Sequence, residues 1–241
     1  MRACVAMLLT ILAGGFPRAG AAQTPRGTAP LRVGAARVDV TPSEGELPKN
    51  SRGILDRLHA RAIVLDNGAT SAALITVDDG VVTDQTWQAV SQQVEKGLGI
   101  PPAHVLLTAT HTHSAVRQRG PDYARKIVES VRLARQKLAP ARVGYGTGDS
   151  YINVNRQIVD PGTGRWWEGA NYEGPSDKTV AVLAFESLDG APIAVYYNYA
   201  VHAVIAGQLD QVSGDIPGAA SRYVEDSFDG GIVAVWSSGA A

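Results

Sequence analysis

The first apolar run, Cys4 to Leu12, is too short to span a bilayer. Arg2 precedes it and the small residues Ala19-Gly20-Ala21-Ala22 follow, the layout of an export signal with its cleavage site. Residues 1–22 therefore read as a signal peptide, and 23–30, polar and proline-containing, as a flexible leader. From Leu31 the apolar positions alternate between periods of about two and about 3.6. Leu31 to Val40 alternates roughly and stops at Thr41-Pro42, which predicts a strand. Leu58 to Leu65 and Ala72 to Val77 flank Asp66-Asn67-Gly68 and predict a hairpin. Thr83 to Leu98 repeats Trp87, Val90, Val94 and Leu98 at helical spacing, with Asp84 suited to the positive end of the helix dipole. His104 to Thr108 is a short continuous apolar run, read as a strand buried on both faces.

A second, basic amphipathic helix is predicted over Pro121 to Leu138, with Pro140 just past its end. Arg142 to Gly146 is a further strand, and 160–177, rich in Gly, Trp, Asn and Glu, reads as a long surface loop. Three apolar strands follow at Thr179 to Glu186, Pro192 to Tyr199 and Gly231 to Trp236. A helix over Pro217 to Phe228 lies between the last two, with Asp215 as the expected N-cap. No repeat or linker divides the chain. The fold class expected is α/β: mixed, largely buried β-sheet layers flanked by helices, in one domain over 31–241.

Composition narrows the function. With 22 Lys+Arg against 23 Asp+Glu, the net charge of -1 gives no electrostatic basis for a nucleic-acid partner. The only cysteine, Cys4, falls inside the signal, so the exported protein has neither disulfides nor a thiolate metal site. No other segment is apolar for long enough to be a transmembrane helix, and the expected location is secreted or periplasmic.

Thr108 to Ser114 (TATHTHS) follows the apolar run HVLLT, and ligand sites in open α/β sheets gather at the carboxyl ends of strands. His111 and His113 are two apart, so in extended chain their imidazoles share a side. Converging imidazoles suit zinc or another borderline divalent metal, and the neighbouring hydroxyls of the threonines and Ser114 could orient them. His202 also follows a buried strand, PIAVYYNYAV. A lone histidine there is usually structural, but the repeated layout of strand then histidine favours a shared site. His113 is then either a third ligand or a proton donor and acceptor beside the metal. Arg156, in Asn153-Val-Asn-Arg156, can point into a cleft or lie on the surface. Trp166-Trp167 can line a substrate mouth or pack on the domain. Asp78 and Asp79 either face the cleft or cap the next helix, and His59 and His104 read as structural or surface residues. There is no GxSxG elbow, P-loop or HExxH.

The ordered segments VGAARVDVTP, LHARAIVLDNG, TATHTHSA, NVNR, NYAVHAV, SGDIPG and VAVWSSGAA resemble the neutral/alkaline, non-lysosomal ceramidases. The resemblance covers roughly Leu31 to Ala241. It implies a zinc amidase that cleaves the N-acyl bond of ceramide-like lipids to a fatty acid and a sphingoid base. By resemblance, His111 and His202 match the zinc-binding histidines, His113 a histidine beside the metal and Arg156 an active-site arginine. Two departures qualify it. Ala115-Val116 stands where the family usually has Gly-Pro, so a related hydrolase of another acyl amide or ester is the alternative. The family also continues past this point with a glutamate and a tyrosine that complete the zinc shell, and with a β-sandwich domain. The expectation is accordingly a catalytic domain incomplete at its C-terminus, which by itself can be a catalytically inactive exported module.

Overall fold

The computed structural model describes residues 29–115 and 119–240; the expected signal peptide, with Cys4, and most of the leader lie outside them. Among the described residues, ten strands and three α-helices form a mixed α/β fold. The strands are β1 (Arg32–Asp39), β2 (His59–Asp66), β3 (Ser71–Val77), β4 (Val105–Ala109), β5 (Ala139–Asp149), β6 (Asn155–Val159), β7 (Trp166–Asn171), β8 (Thr179–Ser187), β9 (Pro192–Tyr199) and β10 (Val233–Ser238). The helices are α1 (Asp84–Leu98), α2 (Tyr123–Gln136) and α3 (Asp215–Ser227).

Eight strands are joined in the order β10-β9-β8-β5-β1-β2-β3-β4, with β6 and β7 forming a separate hairpin. The pairs β3–β4 and β9–β10 are parallel and the remainder antiparallel. β5 meets β1 only at Arg32↔Pro140 and Val33↔Ala139, then diverges along β8. This allows the β10-β9-β8-β5 half to fold across the β1–β4 half.

Side-chain alternation then produces three apolar layers. Ala60, Ala62 and Val64 of β2 and Ala73, Ile75 and Val77 of β3 face α1 and α2. Val33, Ala35 and Ile63 point the other way, against Phe185, Ala194, Val233 and Val235. The opposite face of β10, Ala234 and Trp236, packs under α3. The order is therefore helices, half-sheet, half-sheet, helix.

α2 packs tightly against β1 at Gly34. A methyl group on Gly34 would stand 2.1 Å from the Ala134 carbonyl oxygen and 2.8 Å from the Leu138 nitrogen. Gly34→Ala must push the helix off the sheet. The expected cost is about 1–3 kcal/mol of overpacking, read as a lower denaturation midpoint.

One charged group lies between the half-sheets. Arg61 is 2% exposed and pairs with Asp78 (2.9 Å) and with Glu225 of α3 (2.9 Å), which is 0% exposed. Burial opposes the charge on Arg61, but the two carboxylates outweigh it and its pKa is raised. Glu225 also binds Arg37 and accepts the backbone N–H of Ala234.

The structure corrects four expectations. β4 is an edge strand rather than one buried on both faces: only Leu107 is buried and Leu106 faces solvent. The stretch 160–177 is not a plain loop but carries β7, paired with β6 across a turn. The second helix begins at Tyr123, two residues after Pro121. Gly214, not Asp215, is the cap of α3; Asp215 is its first residue, at φ 54°, and its carboxylate accepts the Ala206 and Ile216 amides. That bond ties the start of α3 to the loop after β9, close to His202.

Candidate metal centre

The TATHTHS segment leaves β4 and turns at once. His111 has φ 62°, a left-handed conformation uncommon outside glycine and costly for a residue with a Cβ. The two imidazoles thus do not share a side through extended chain, as the spacing suggested; the turn brings them together. Their centroids lie 5.1 Å apart.

The third ring comes from the opposite half-sheet. β9 ends at Tyr199, and the loop beyond it is fastened to the histidine turn through its backbone. His113 N–H donates to the Ala203 carbonyl (3.0 Å), and Ser213 N–H to that of Ser114 (3.1 Å). His202 then sits 4.8 Å from His111 and 4.9 Å from His113, centroid to centroid. One ligand atom from each of the three lies within 4.8 Å of the others, the only such His/Cys/Asp/Glu group among the described residues. The Thr112 hydroxyl, expected to help orient the rings, does other work. Thr112 Oγ1 donates to the Ser213 carbonyl and accepts the Ser114 amide, which holds the two loops together.

Hydrogen bonds assign the nitrogens. His111 Nδ1 lies 2.7 Å from the Gly80 carbonyl, which can only accept, so Nδ1 carries the proton and Nε2 presents its lone pair. Arg156 is brought in by the asparagine-rich turn. Asn153, buried, donates to the Ala200 and Asp177 carbonyls, stapling the segment before β6 to the end of β9. Arg156 Nη1 then binds Glu168 of β7 (2.6 Å), while Nη2 faces His202 Nδ1 at 3.2 Å. Because the guanidinium only donates, Nδ1 of His202 is an acceptor in this arrangement, and Nε2 points at His113 Nε2, 3.0 Å away. Burial first, then the Arg156 charge and the two neighbouring rings, lower the pKa of His202. A lowered pKa keeps the ring neutral, the form that binds metal.

Two cavities flank the three rings. One of about 710 Å³ holds His202, Arg156 and Glu168 among Ile152, Val154, Trp166, Val204 and Ile205. The other, of about 1030 Å³, lies on the His111 and His113 side with Asp79, Arg119 and Tyr123. Trp166 is 67% exposed at the mouth of the first. His59 and His104 stand apart from the cluster: the His59 backbone bonds to Asp78, and His104 Nδ1 meets the Ser71 carbonyl. Asp78 pairs with Arg61 in the core, whereas Asp79 faces the second cavity. Gly80, Glu168, Arg119 and Tyr123 were not marked by the sequence; the first acts through its backbone, which has no side-chain signature.

No protein-family model matches the chain. Individual proteins do. Neutral ceramidase B of Dictyostelium discoideum is 25% identical over 235 residues, covering 85% of this chain and 33% of its own length. Neutral ceramidase of Pseudomonas aeruginosa is 27% identical over 234 residues, covering 81% and 34%. The chain is thus similar to proteins named neutral ceramidases. The crystal structure of neutral ceramidase from Pseudomonas aeruginosa superposes with a TM-score of 0.69 and 24% identity over 87% of this chain and 38% of that one, so the fold is shared. The chain spans about a third of the length of the curated relatives it matches. Among the described residues, no helix is long and apolar enough to cross a membrane.

Proposed function

We propose that the chain carries the metal-binding part of a secreted zinc-dependent amide hydrolase that cleaves the N-acyl bond of ceramide-like lipids. His111 and His202 would hold the zinc, and His113 and Arg156 would act beside it. The observation that supports this reading most is the meeting of three imidazoles from two separate loops in a chain similar to neutral ceramidases over most of its length. The donor set suits the ion in kind: three converging imidazoles, with the His111 proton held on Nδ1 by a carbonyl so that its Nε2 is free.

Bound zinc would polarise the amide carbonyl and lower the pKa of a coordinated water. The remaining work falls to the chain. His113, hydrogen-bonded to His202 and open to both solvent and the larger cavity, can take a proton from water and pass it to the departing nitrogen. The C–N bond then breaks to a carboxylic acid and a free amine. Arg156, anchored by Glu168, sets a positive charge where the carbonyl oxygen gains negative charge. The apolar part of the lining of the 710 Å³ cavity, Ile152, Val154, Trp166, Val204 and Ile205, suits a hydrocarbon chain.

We assign residues 1–22 to an export signal, 23–30 to a leader and 31–241 to the N-terminal part of the catalytic domain. Incubation of the expressed chain with zinc and an N-acyl sphingoid base tests the reading. Fatty acid release that His113→Ala lowers about 10²–10⁴-fold is expected if His113 carries the proton. Equal release from the variant would remove that role. Absence of zinc binding by the unaltered chain would remove the hydrolase reading. The second reading, a hydrolase of other acyl amides or esters, follows from Ala115-Val116 after the histidine turn. Faster turnover of short acyl amides than of ceramide would favour it.

A further inference from the structure

The His111 tautomer depends on the Gly80 carbonyl, and Gly80 is held by an unusual set of partners. Its neighbour Asp79 ends the turn after β3, with its backbone N–H on the Val77 carbonyl. One carboxylate oxygen of Asp79 accepts the Gly80 N–H (2.7 Å). The other accepts Tyr123 Oη–H (2.7 Å) and Arg119 Nε–H (3.0 Å). Arg119 continues to the Asp78 carbonyl (3.2 Å) and stacks over the Tyr123 ring, 4.8 Å from its centroid. Tyr123 opens α2 and is buried; burial and then Asp79 raise its pKa well above the ordinary value, so it stays a donor. On its far side Gly80 lies against the histidine turn, where a Cβ would stand 3.3 Å from the Thr112 carbonyl oxygen.

We propose that Asp79 is a positioning residue for His111, acting through the carbonyl of Gly80. The carboxylate fastens the turn between β3 and α1 to the first residue of α2, and so fixes where that carbonyl points. The carbonyl in turn holds the proton on Nδ1 and the strained backbone of His111 in the orientation that aims Nε2 at His113 and His202. Groups that hold the far nitrogen of a ligating histidine commonly set metal affinity. The proposal rests on the reading of His111 as a ligand only for its effect on metal; its effect on the tautomer stands without any ion.

Asp79→Asn tests it, since asparagine has one accepting oxygen and can serve either the Gly80 N–H or the Tyr123 and Arg119 donors, but not both. Imidazole ¹⁵N chemical shifts of the metal-free chain report the His111 tautomer. The Nδ1–H form is expected to dominate in the unaltered chain and to lose population in Asp79→Asn. Zinc affinity, read by competition with a chromophoric chelator, is expected to fall about 10- to 100-fold. Tyr123→Phe removes one donor and keeps Arg119, and a smaller change in both readouts is expected. A folded Asp79→Asn with unaltered ¹⁵N shifts and zinc affinity would overturn the proposal. Should that variant not fold, Tyr123→Phe decides alone: an unchanged tautomer population refutes the role and a reduced one supports it. If the unaltered chain binds no zinc, the ¹⁵N shifts still decide the role of Asp79, whereas the zinc reading of the site fails separately.

Discussion

His202→Ala is expected to weaken zinc binding by roughly 100-fold or more. Zinc held by about four ligands in small domains is worth about 10–16 kcal/mol, so one ligand accounts for roughly 3 kcal/mol, or two decades. His202 supplies more than one nitrogen, because it is the only donor of the cluster that comes from the loop after β9. Without it, His111 and His113 remain on one short turn, and Arg156 loses the ring it faces at 3.2 Å. Competition titration with a chelator measures the loss. An unchanged affinity would mean that the ion is not held between the two loops. His59→Ala serves as the control, because that ring lies away from the cluster, and no change in zinc affinity is expected.

Glu225→Ala is expected to be among the most destabilising single substitutions in the chain. It removes a fully buried carboxylate that binds Arg61, Arg37 and the Ala234 N–H together. Arg61 keeps Asp78 but is left with half its compensation while only 2% exposed. Breaking a buried pair on one side costs about 3–5 kcal/mol. Domains of this kind have about 5–15 kcal/mol in all. Denaturant unfolding should show a markedly lower midpoint, and an unchanged midpoint would show that the pairing contributes little. Glu225→Gln keeps one accepting oxygen but loses the charge and turns the other oxygen into a donor facing an arginine, and an intermediate loss is expected.

The parts of the fold that were legible are those with a strong apolar signal. α1 shows a helical period because one face is dry, while the β2–β3 hairpin and β9 read as apolar runs because layers pack on them from both sides. β6 and β7 gave no such signal: NRQIV and WWEGAN lie open on both faces, so nothing selects an apolar alternation. The run HVLLT gave a misleading signal. Three apolar residues in a row suggested cover on both sides, but β4 closes the sheet and Leu106 has nothing above it. The candidate site was legible as three histidines placed after strands. Its geometry was not, because convergence depends on the left-handed backbone of His111 and on loop-to-loop hydrogen bonds such as His113 N–H to Ala203. Arg156 illustrates the same limit. Its approach to His202 is decided by the buried Asn153, whose amide is indistinguishable in sequence from the surface asparagine two residues on.

β10 is the outermost strand of its half-sheet, with β9 on one side only. Its other margin is not bare: the Ala234 N–H is taken by Glu225, and Trp236 C=O accepts from Thr76 Oγ1 at 2.8 Å. A second molecule approaching along that margin finds the rungs already occupied by side chains. To add a strand there it must first dislodge a carboxylate that neutralises the buried Arg61. The same glutamate that holds the layers together therefore also discourages polymerisation through this end of the sheet.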